Sequence, residues 1–159
     1  IDFDFSNFSK RSVIFNYEDL ERLNSKFIKN LNFNSLKKIF KPKFNENFWN
    51  IIRDNIDHLD EADNWYEIVY GKKIFKKINL EKKLYEKLIV SLPNKIDEKS
   101  WSIWTKEVLN SFDLKPKELF KMIRLILTGK SYGPSMNQLI MLFNRDEIIK
   151  RINTNCGKT

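Results

Sequence analysis

Residues 116–129 have the sequence PKELFKMIRLILTG, which carries the signals for both ends of a helix. Pro116 suits the first helical turn, because an N–H group at that position has no partner within the helix. Residues 118–127 are almost entirely apolar, and Gly129 after Thr128 predicts where the helix ends. The stretch therefore predicts a helix that is buried over most of its surface.

The same helix carries positive charge on one face. Residues three or four positions apart lie on the same face of a helix. That spacing places four polar residues together: Lys117, Lys121, Arg124 and Thr128. Burying Arg124 without a partner would be unfavourable, so this cationic stripe indicates a cleft or a binding surface. The alternative is a solvated face on which Arg124 pairs with a nearby acid.

The rest of the chain has the same helical character. Only four Gly and four Pro interrupt it, and apolar residues recur mostly every three or four positions. We expect an all-α fold of about nine helices joined by short turns, with no strand. The predicted helices are residues 17–31, 35–40, 44–56, 60 or 63 to 70, 80–92, 98–109, 118–127, 135–143 and 145–153.

Local signals also predict the caps and the core. The side chains that can cap helices are those of Asn16, Asn34 and Asp97. The apolar face of the first helix is predicted to be Leu20, Leu23, Phe27 and Leu31. The tryptophans are predicted to be core residues: Trp49, Trp65, Trp101 and Trp104.

Charge is distributed unevenly along the chain. The 29 Lys and Arg residues exceed the 21 Asp and Glu residues, giving a net charge of +8. Residues 46–70 are net −6, whereas residues 1–45, 71–91 and 115–159 are net +4, +5 and +6. This alternation favours a shaped polyanion such as folded RNA over a flat membrane. The alternative is a genomic composition bias that enriches Lys without any binding role.

The chain is poor in residues that carry out chemistry. It has one histidine, His58, and one cysteine, Cys156, which excludes a disulfide framework and a metal site of several Cys or His residues. The acids within residues 57–63 lack the spacing of a calcium-binding EF-hand. No apolar run suggests a membrane span, and the start has neither Met nor a signal-like pattern. We expect a piece of a longer, cytoplasmic protein.

A turn bounded by glycines follows the apolar helix. Residues 128–134 have the sequence TGKSYGP and lead into the next predicted helix. Free backbone N–H groups at the start of a helix suit phosphate or base acceptor atoms, and Tyr132 offers a stacking surface. The glycine spacing is not that of a nucleotide-binding P-loop. The turn indicates a nucleic-acid contact only together with other features.

Several ordered motifs are shared with a known family. Residues 120–129, followed by Gly133-Pro134 and a helix ending at Phe143, resemble the carboxy-terminal signature of bacterial glutamyl-tRNA synthetases. Residues 48–65 resemble the first anticodon-binding helices of that family, and residues 101–105 resemble the start of the second group. The segments 3–6, 13–16 and 23–28 resemble the region just past the catalytic half.

The resemblance implies a helical cage, built from two consecutive small helical bundles, that binds the tRNA anticodon. It divides the chain into three segments: residues 1–32, the end of the stem-contact region and a linking helix; residues 33–93, the first anticodon-binding bundle; and residues 94–159, the second. It also implies that Arg124 donates to a base edge or a phosphate. The residues placed at the anticodon by this resemblance are Lys121, Arg124, Gly133, Pro134, Ser135, Met136 and Asn137. The family often has a longer apolar or aromatic residue where Asn137 stands, so we expect a polar contact to replace stacking there.

Two residues of the first bundle match the region that binds the third anticodon base. These are Arg53 and Asn55, and some relatives have an arginine at the Asn55 position. Without that arginine we expect relaxed discrimination between glutamate and glutamine anticodons. The resemblance thus implies tRNA(Glu) as the partner of a monomeric protein, with tRNA(Gln) as a second ligand under this hypothesis.

The chain lacks the motifs of the catalytic half of such enzymes. The His-Ile-Gly-His and Lys-Met-Ser-Lys-Ser sequences that handle ATP are absent. We expect no glutamate activation by these residues and no cofactor among them, because ATP and Mg²⁺ would bind the missing catalytic domain. Two other functions stay open: an all-α protein-interaction domain with a compositional Lys excess, and a small independent enzyme, which the scarcity of His and Cys disfavours.

Overall fold

The computed structural model describes residues 16–71, 75 and 78–158. The motifs at residues 3–6 and 13–15 and most of the basic stretch 72–77 lie outside the described residues. Within them the all-α prediction is confirmed, with nine α-helices and two short 3₁₀ helices. The α-helices are α1 Tyr17–Asn30, α2 Phe33–Ile39, α3 Glu46–Ile52, α4 Asp60–Tyr70, α5 Lys82–Val90, α6 Ser100–Leu109, α7 Pro116–Thr128, α8 Met136–Leu139 and α9 Arg145–Asn155. The 3₁₀ helices are Arg53–Asn55 and Ile140–Leu142.

Asparagine side chains begin four of these helices. Each accepts a hydrogen bond from a backbone N–H in the first turn, which would otherwise have no partner. The capping residues are Asn16, Asn32, Asn45 and Asn144. The predicted cap at Asn16 is confirmed. The prediction that Asn34 caps the second helix is wrong, because the capping residue is Asn32, two positions earlier. The helix that begins there buries Leu36 in the core. Asp97 binds the N–H of Lys99 just before α6.

Helices α2, α3 and α4 pack around aromatic side chains. The Phe44 ring lies close to those of Phe48 and Trp49, with ring centroids 4.9 and 6.2 Å away. The buried indole of Trp49 donates from Nε1 to the carbonyl oxygen of Leu31 at 2.8 Å, which ties α3 to the end of α1. The prediction that Trp49 and Trp65 are core residues is confirmed.

Helix α7 is the centre of the remaining helices. It packs between α6 and α9, and its buried residues are Leu119, Ile123, Ile126, Leu127 and Thr128. Trp104 of α6 is fully buried and donates from Nε1 to the carbonyl oxygen of Leu88 at 2.8 Å, joining α6 to α5. Trp101 is only half-buried, so its prediction as a core residue is wrong in part. The division into residues 33–93 and 94–159 stays a prediction.

Two short strands were not predicted. Strands β1 Ile78–Leu80 and β2 Cys156–Lys158 pair in parallel, with Ile78 opposite Cys156. Strands of this length are too short to show the alternating apolar pattern, and their partners are far apart in sequence. Burial raises the pKa of the Cys156 thiol to about 11, so this thiol stays protonated near neutral pH.

The apolar face predicted for α1 is largely exposed. Leu20, Leu23 and Phe27 are 47, 62 and 56 % exposed, whereas Leu31, the fourth residue of the predicted face, is buried just after the end of α1, as is Ile28. The periodicity correctly predicted an amphipathic helix but not which of its apolar residues contact the rest of the described chain. These three residues are among the large apolar side chains that are exposed on the described part of the molecule.

Removing the cap of α9 should destabilise the fold measurably. The Asn144 side chain accepts from the Glu147 N–H at 2.8 Å, and loss of such a cap costs about 1 kcal/mol. We expect Asn144→Ala to lower the free energy of unfolding by that amount in urea titrations. Thr154→Ala, at an exposed position in the same helix, should leave it unchanged or raise it, because Ala is the better helix former. Equal effects of the two changes would contradict the capping role.

Candidate nucleic-acid interface

The cationic stripe of α7 is present but one residue shorter than predicted. Lys117 and Lys121 are exposed and Arg124 is half-buried. Thr128 is 1 % exposed, and its hydroxyl donates to the carbonyl oxygen of Arg124 at 2.8 Å. Thr128 therefore stabilises the end of α7, and the three cations form the accessible stripe.

One guanidinium nitrogen of Arg124, the Nη1 atom, is buried without a hydrogen-bond partner in the described chain. No acidic side chain of the described chain forms an ion pair with Arg124, so the described residues do not provide the acid partner of the alternative interpretation. Burial lowers the pKa of this guanidinium from its usual range, because the charged form loses hydration. A buried donor of this kind is suited to an acceptor that arrives with a ligand.

A groove of about 470 Å³ lies beside Arg124. It brings together five of the predicted site residues, namely Lys121, Arg124, Ser135, Met136 and Asn137. Its remaining lining residues are Trp101, Lys117, Phe120 and Ser131. The Trp101 and Phe120 rings are 5.2 Å apart and inclined by 58°, so the groove has an aromatic wall next to its cations. We call this the Arg124 groove.

Gly133 allows the turn to pass between α4 and α7. Its φ of +128° is one that residues with a side chain rarely adopt. A Cβ atom there would overlap the indole of Trp65 and lie 3.6 Å from Nη1 of Arg124. Pro134 next to it is buried. The close approach of this turn therefore depends on the absence of a side chain at Gly133.

The helix start after the turn is weaker than predicted. Helix α8 has only four residues and continues as a 3₁₀ helix, so its dipole is small compared with that of the helix expected over residues 135–143. Ser135 makes no side-chain cap, and its hydroxyl hydrogen-bonds Asn137 Oδ1 instead. A ligand in the groove would therefore meet the exposed side chains of Ser135 and Asn137. The N-terminus of the short helix α8 would contribute less.

Tyr132 belongs to a different groove. It is 67 % exposed, and Nζ of Lys130 lies 5.7 Å from its ring centroid. Both residues line a second groove of about 380 Å³ on the α4 side of the turn, together with Glu61, Asn64, Trp65, Ile68, Phe75, Thr128 and Gly129. The turn therefore separates two surfaces, with Arg124 on one and Tyr132 on the other.

Arg53 and Asn55 do not line the Arg124 groove. They form the 3₁₀ helix that follows α3, where Arg53 is half-buried and Asn55 is exposed. Nη1 of Arg53 donates to the carbonyl oxygen of Leu31 at 3.5 Å, and its buried Nε forms no hydrogen bond with described residues. The structure thus brings five of the nine predicted residues into one groove, with Gly133 close to Arg124, and Arg53 and Asn55 lie outside that groove.

The acidic side chains of residues 57–63 lie just before α4 and in its first turn. Oε1 of Glu61 accepts from the backbone N–H groups of Asp57 and His58 at 3.2 and 3.0 Å, and acids in the first turn of a helix are favourable. No cluster of three or more metal-binding side chains occurs among the described residues. None of the helices described is long and apolar enough to cross a membrane.

The buried arginine of α9 was not singled out from the sequence. Arg151 of α9 is 4 % exposed and donates to three backbone carbonyl groups and to Glu147. Its position in a polar helix is typical of a cation at the surface. The carbonyl groups that accept its hydrogen bonds are distant in sequence, so local patterns do not reveal them. Only the nearby Glu147, four residues earlier, could have indicated an ion pair.

Residues 47–156 match the family model described as an anticodon binding domain, and the chain belongs to that family. It is 42 % identical over 154 residues to Glutamate--tRNA ligase 1 of Rickettsia prowazekii (strain Madrid E), and 43 % identical over 155 residues to Glutamate--tRNA ligase 1 of Rickettsia felis (strain ATCC VR-1525 / URRWXCal2). These matches cover 94 % of this chain but 34 and 35 % of the relatives. The chain therefore spans about a third of their length. The resemblance to glutamyl-tRNA synthetases is confirmed.

Proposed function

We propose that this chain is the part of a glutamate–tRNA ligase that binds the anticodon of tRNA(Glu). Arg124 carries the proposal, because its half-buried guanidinium lines a groove and has an unsatisfied donor. A planar guanidinium donates well to base edges and phosphates, and aromatic rings stack on unpaired bases. The Arg124 groove offers both, with Trp101 and Phe120 beside the arginine.

The chemistry of the ligase belongs, in this proposal, to the two thirds of the relatives that the chain does not cover. ATP and Mg²⁺ would bind there, and this part would hold tRNA while its 3′ end is acylated. We also propose that the protein is cytoplasmic and monomeric. The segments 1–32, 33–93 and 94–159 remain our proposed division of this part.

The second bundle alone does not account for the whole anticodon. Arg53 and Asn55 are proposed to contact the third base from a separate surface, next to the end of α1. The exposed amide of Asn55 is shorter than an arginine and uncharged, which supports weak discrimination between the glutamate and glutamine anticodons at this base.

Binding to a panel of tRNA transcripts tests the proposal. We expect tRNA(Glu) to bind at least about tenfold more tightly than the same tRNA with a changed second anticodon base, since a lost base contact is worth about 1–3 kcal/mol. tRNA(Gln) should lie between them. Filter binding at several salt concentrations measures all three. Equal affinity for every transcript would contradict the proposal, because binding would then be due only to non-specific charge attraction. Strong rejection of tRNA(Gln) would contradict only the relaxed contact to the third base.

The exposed α1 face favours a second function, contact with a protein. Leu20, Leu23 and Phe27 form an apolar surface that binding to RNA does not explain. If the chain were a protein-interaction domain, it would bind no tRNA selectively. Changing these three residues to Ser would then abolish its binding to the partner protein. Under the tRNA-binding proposal the same changes leave anticodon preference intact.

A further inference from the structure

Arg151 binds the carboxyl ends of two helices at once. Its Nη1 donates to the carbonyl oxygens of Ile68 at 2.7 Å and Leu127 at 2.5 Å, and its Nη2 donates to that of Val69 at 2.9 Å. Ile68 and Val69 lie in the last turn of α4, and Leu127 lies in the last turn of α7. Carbonyl groups at helix ends have no partner within the helix and carry partial negative charge. The guanidinium satisfies both ends and offsets their mutual repulsion.

The surroundings of Arg151 hold it in one orientation. Nε donates to Oε1 of Glu147 at 2.8 Å, one helical turn earlier on α9. The guanidinium carbon lies 4.7 Å from the ring centroid of Phe143 and 5.7 Å from that of Phe75. An arginine packed in this way presents a planar fork of donors that a lysine ammonium cannot reproduce.

The bound carbonyl groups are each one turn from the residues that flank Gly133. Ile68 follows Trp65 by three residues on α4, and Leu127 follows Arg124 by three residues on α7. Gly133 lies next to both side chains, because a Cβ atom there would overlap the Trp65 indole and lie 3.6 Å from Nη1 of Arg124. Any change in the distance between the ends of α4 and α7 would therefore move the turn and the guanidinium of Arg124.

We propose that Arg151 is a positioning residue that fixes α4 against α7 and so sets the shape of the Arg124 groove, which makes it a determinant of anticodon selectivity. This inference rests on the proposed function. Arg151 is buried and does not line the Arg124 groove. It acts through Trp65, Gly133 and Arg124, and its loss alters which base fits while leaving the surface charge that attracts phosphates in place.

Arg151→Lys tests the proposal against a purely structural role. The variant keeps the charge and loses the fork. We expect the ratio of affinities for tRNA(Glu) and its anticodon variant to fall at least about fivefold, with an unchanged salt dependence. Asn144→Ala, which weakens the same helix at its cap, is the matched control and should keep the wild-type ratio. Measurements are made below the unfolding transition of each protein.

A second readout needs no RNA. In ¹⁵N-labelled protein, the indole N–H of Trp65 and the amide of Gly133 should shift in Arg151→Lys and stay in place in Asn144→Ala. If Arg151→Lys does not fold, Glu147→Gln, which loosens the fork without removing it, should cause the same changes to a smaller extent. A folded variant with unmoved signals and an unchanged ratio overturns the inference. If the wild-type protein shows no anticodon preference, the proposed function is wrong. The NMR shifts of Trp65 and Gly133 then still test whether Arg151 positions α4 against α7.

Discussion

Arg124→Met should lose anticodon-selective binding without losing stability. The guanidinium is the one cation of the α7 stripe that is half-buried, and a hydrogen bond from a charged donor contributes about 1.5–3 kcal/mol. We therefore expect Arg124→Met to bind tRNA(Glu) roughly 10- to 150-fold more weakly than the wild-type protein does. The variant protein should bind tRNA(Glu) and the tRNA with the changed anticodon base with almost the same affinity. Competition filter binding at fixed salt measures both effects.

The stability of the same variant separates a binding role from a structural one. Nη1 of Arg124 is buried without a partner in the described chain, so the folded protein carries a desolvation penalty there. Methionine fills a similar volume and has no unsatisfied donor. The free energy of unfolding should stay constant or rise, and a clear fall would contradict a guanidinium that is held for a ligand.

Lys121→Met is the matched control for charge. Lys121 lines the same groove but is exposed, so its ammonium attracts phosphates without a fixed geometry. Its loss should weaken all transcripts by a similar factor and reduce the salt slope by about one unit. If Arg124→Met behaved in the same way, Arg124 would be only another phosphate contact.

Local rules predicted the elements that build the Arg124 groove. Pro116 and Gly129 stand at the two ends of α7, and Gly129 has the left-handed φ of +67° that this kind of helix end requires. The spacing of Lys117, Lys121 and Arg124 correctly predicted a shared accessible face. These features are encoded within a few residues, so the sequence alone was enough to predict them.

Features that depend on distant contacts could not be predicted in this way. Arg151 has the local pattern of a surface cation, and its burial follows from carbonyl groups of α4 and α7 that lie far away in sequence. The exposure of Leu23 on α1 depends equally on what packs against that helix. The separation of Arg53 from the Arg124 groove is a property of the packing of whole helices.

The largest combined effect on stability and binding is expected from Gly133→Ala. The φ of +128° is strained for any residue with a Cβ, which costs about 1–3 kcal/mol. The new methyl group would also overlap the buried indole of Trp65, and such overpacking adds about 1–3 kcal/mol. We expect the melting temperature to fall by roughly 10 °C. Binding of tRNA(Glu) should weaken at least about tenfold, because the turn moves away from Arg124.

A double-mutant cycle with Trp65→Leu separates the two causes. The smaller side chain makes room for the methyl group but does not relieve the backbone strain at Gly133. In the Trp65→Leu background, Gly133→Ala should therefore cost only the backbone part, about 1–3 kcal/mol. The difference between the two backgrounds, measured by urea unfolding, is the steric contact of the turn with α4. An equal cost in both backgrounds would show that Trp65 does not limit the position of the turn, and the close packing that aligns Gly133 with Arg124 would then need another cause.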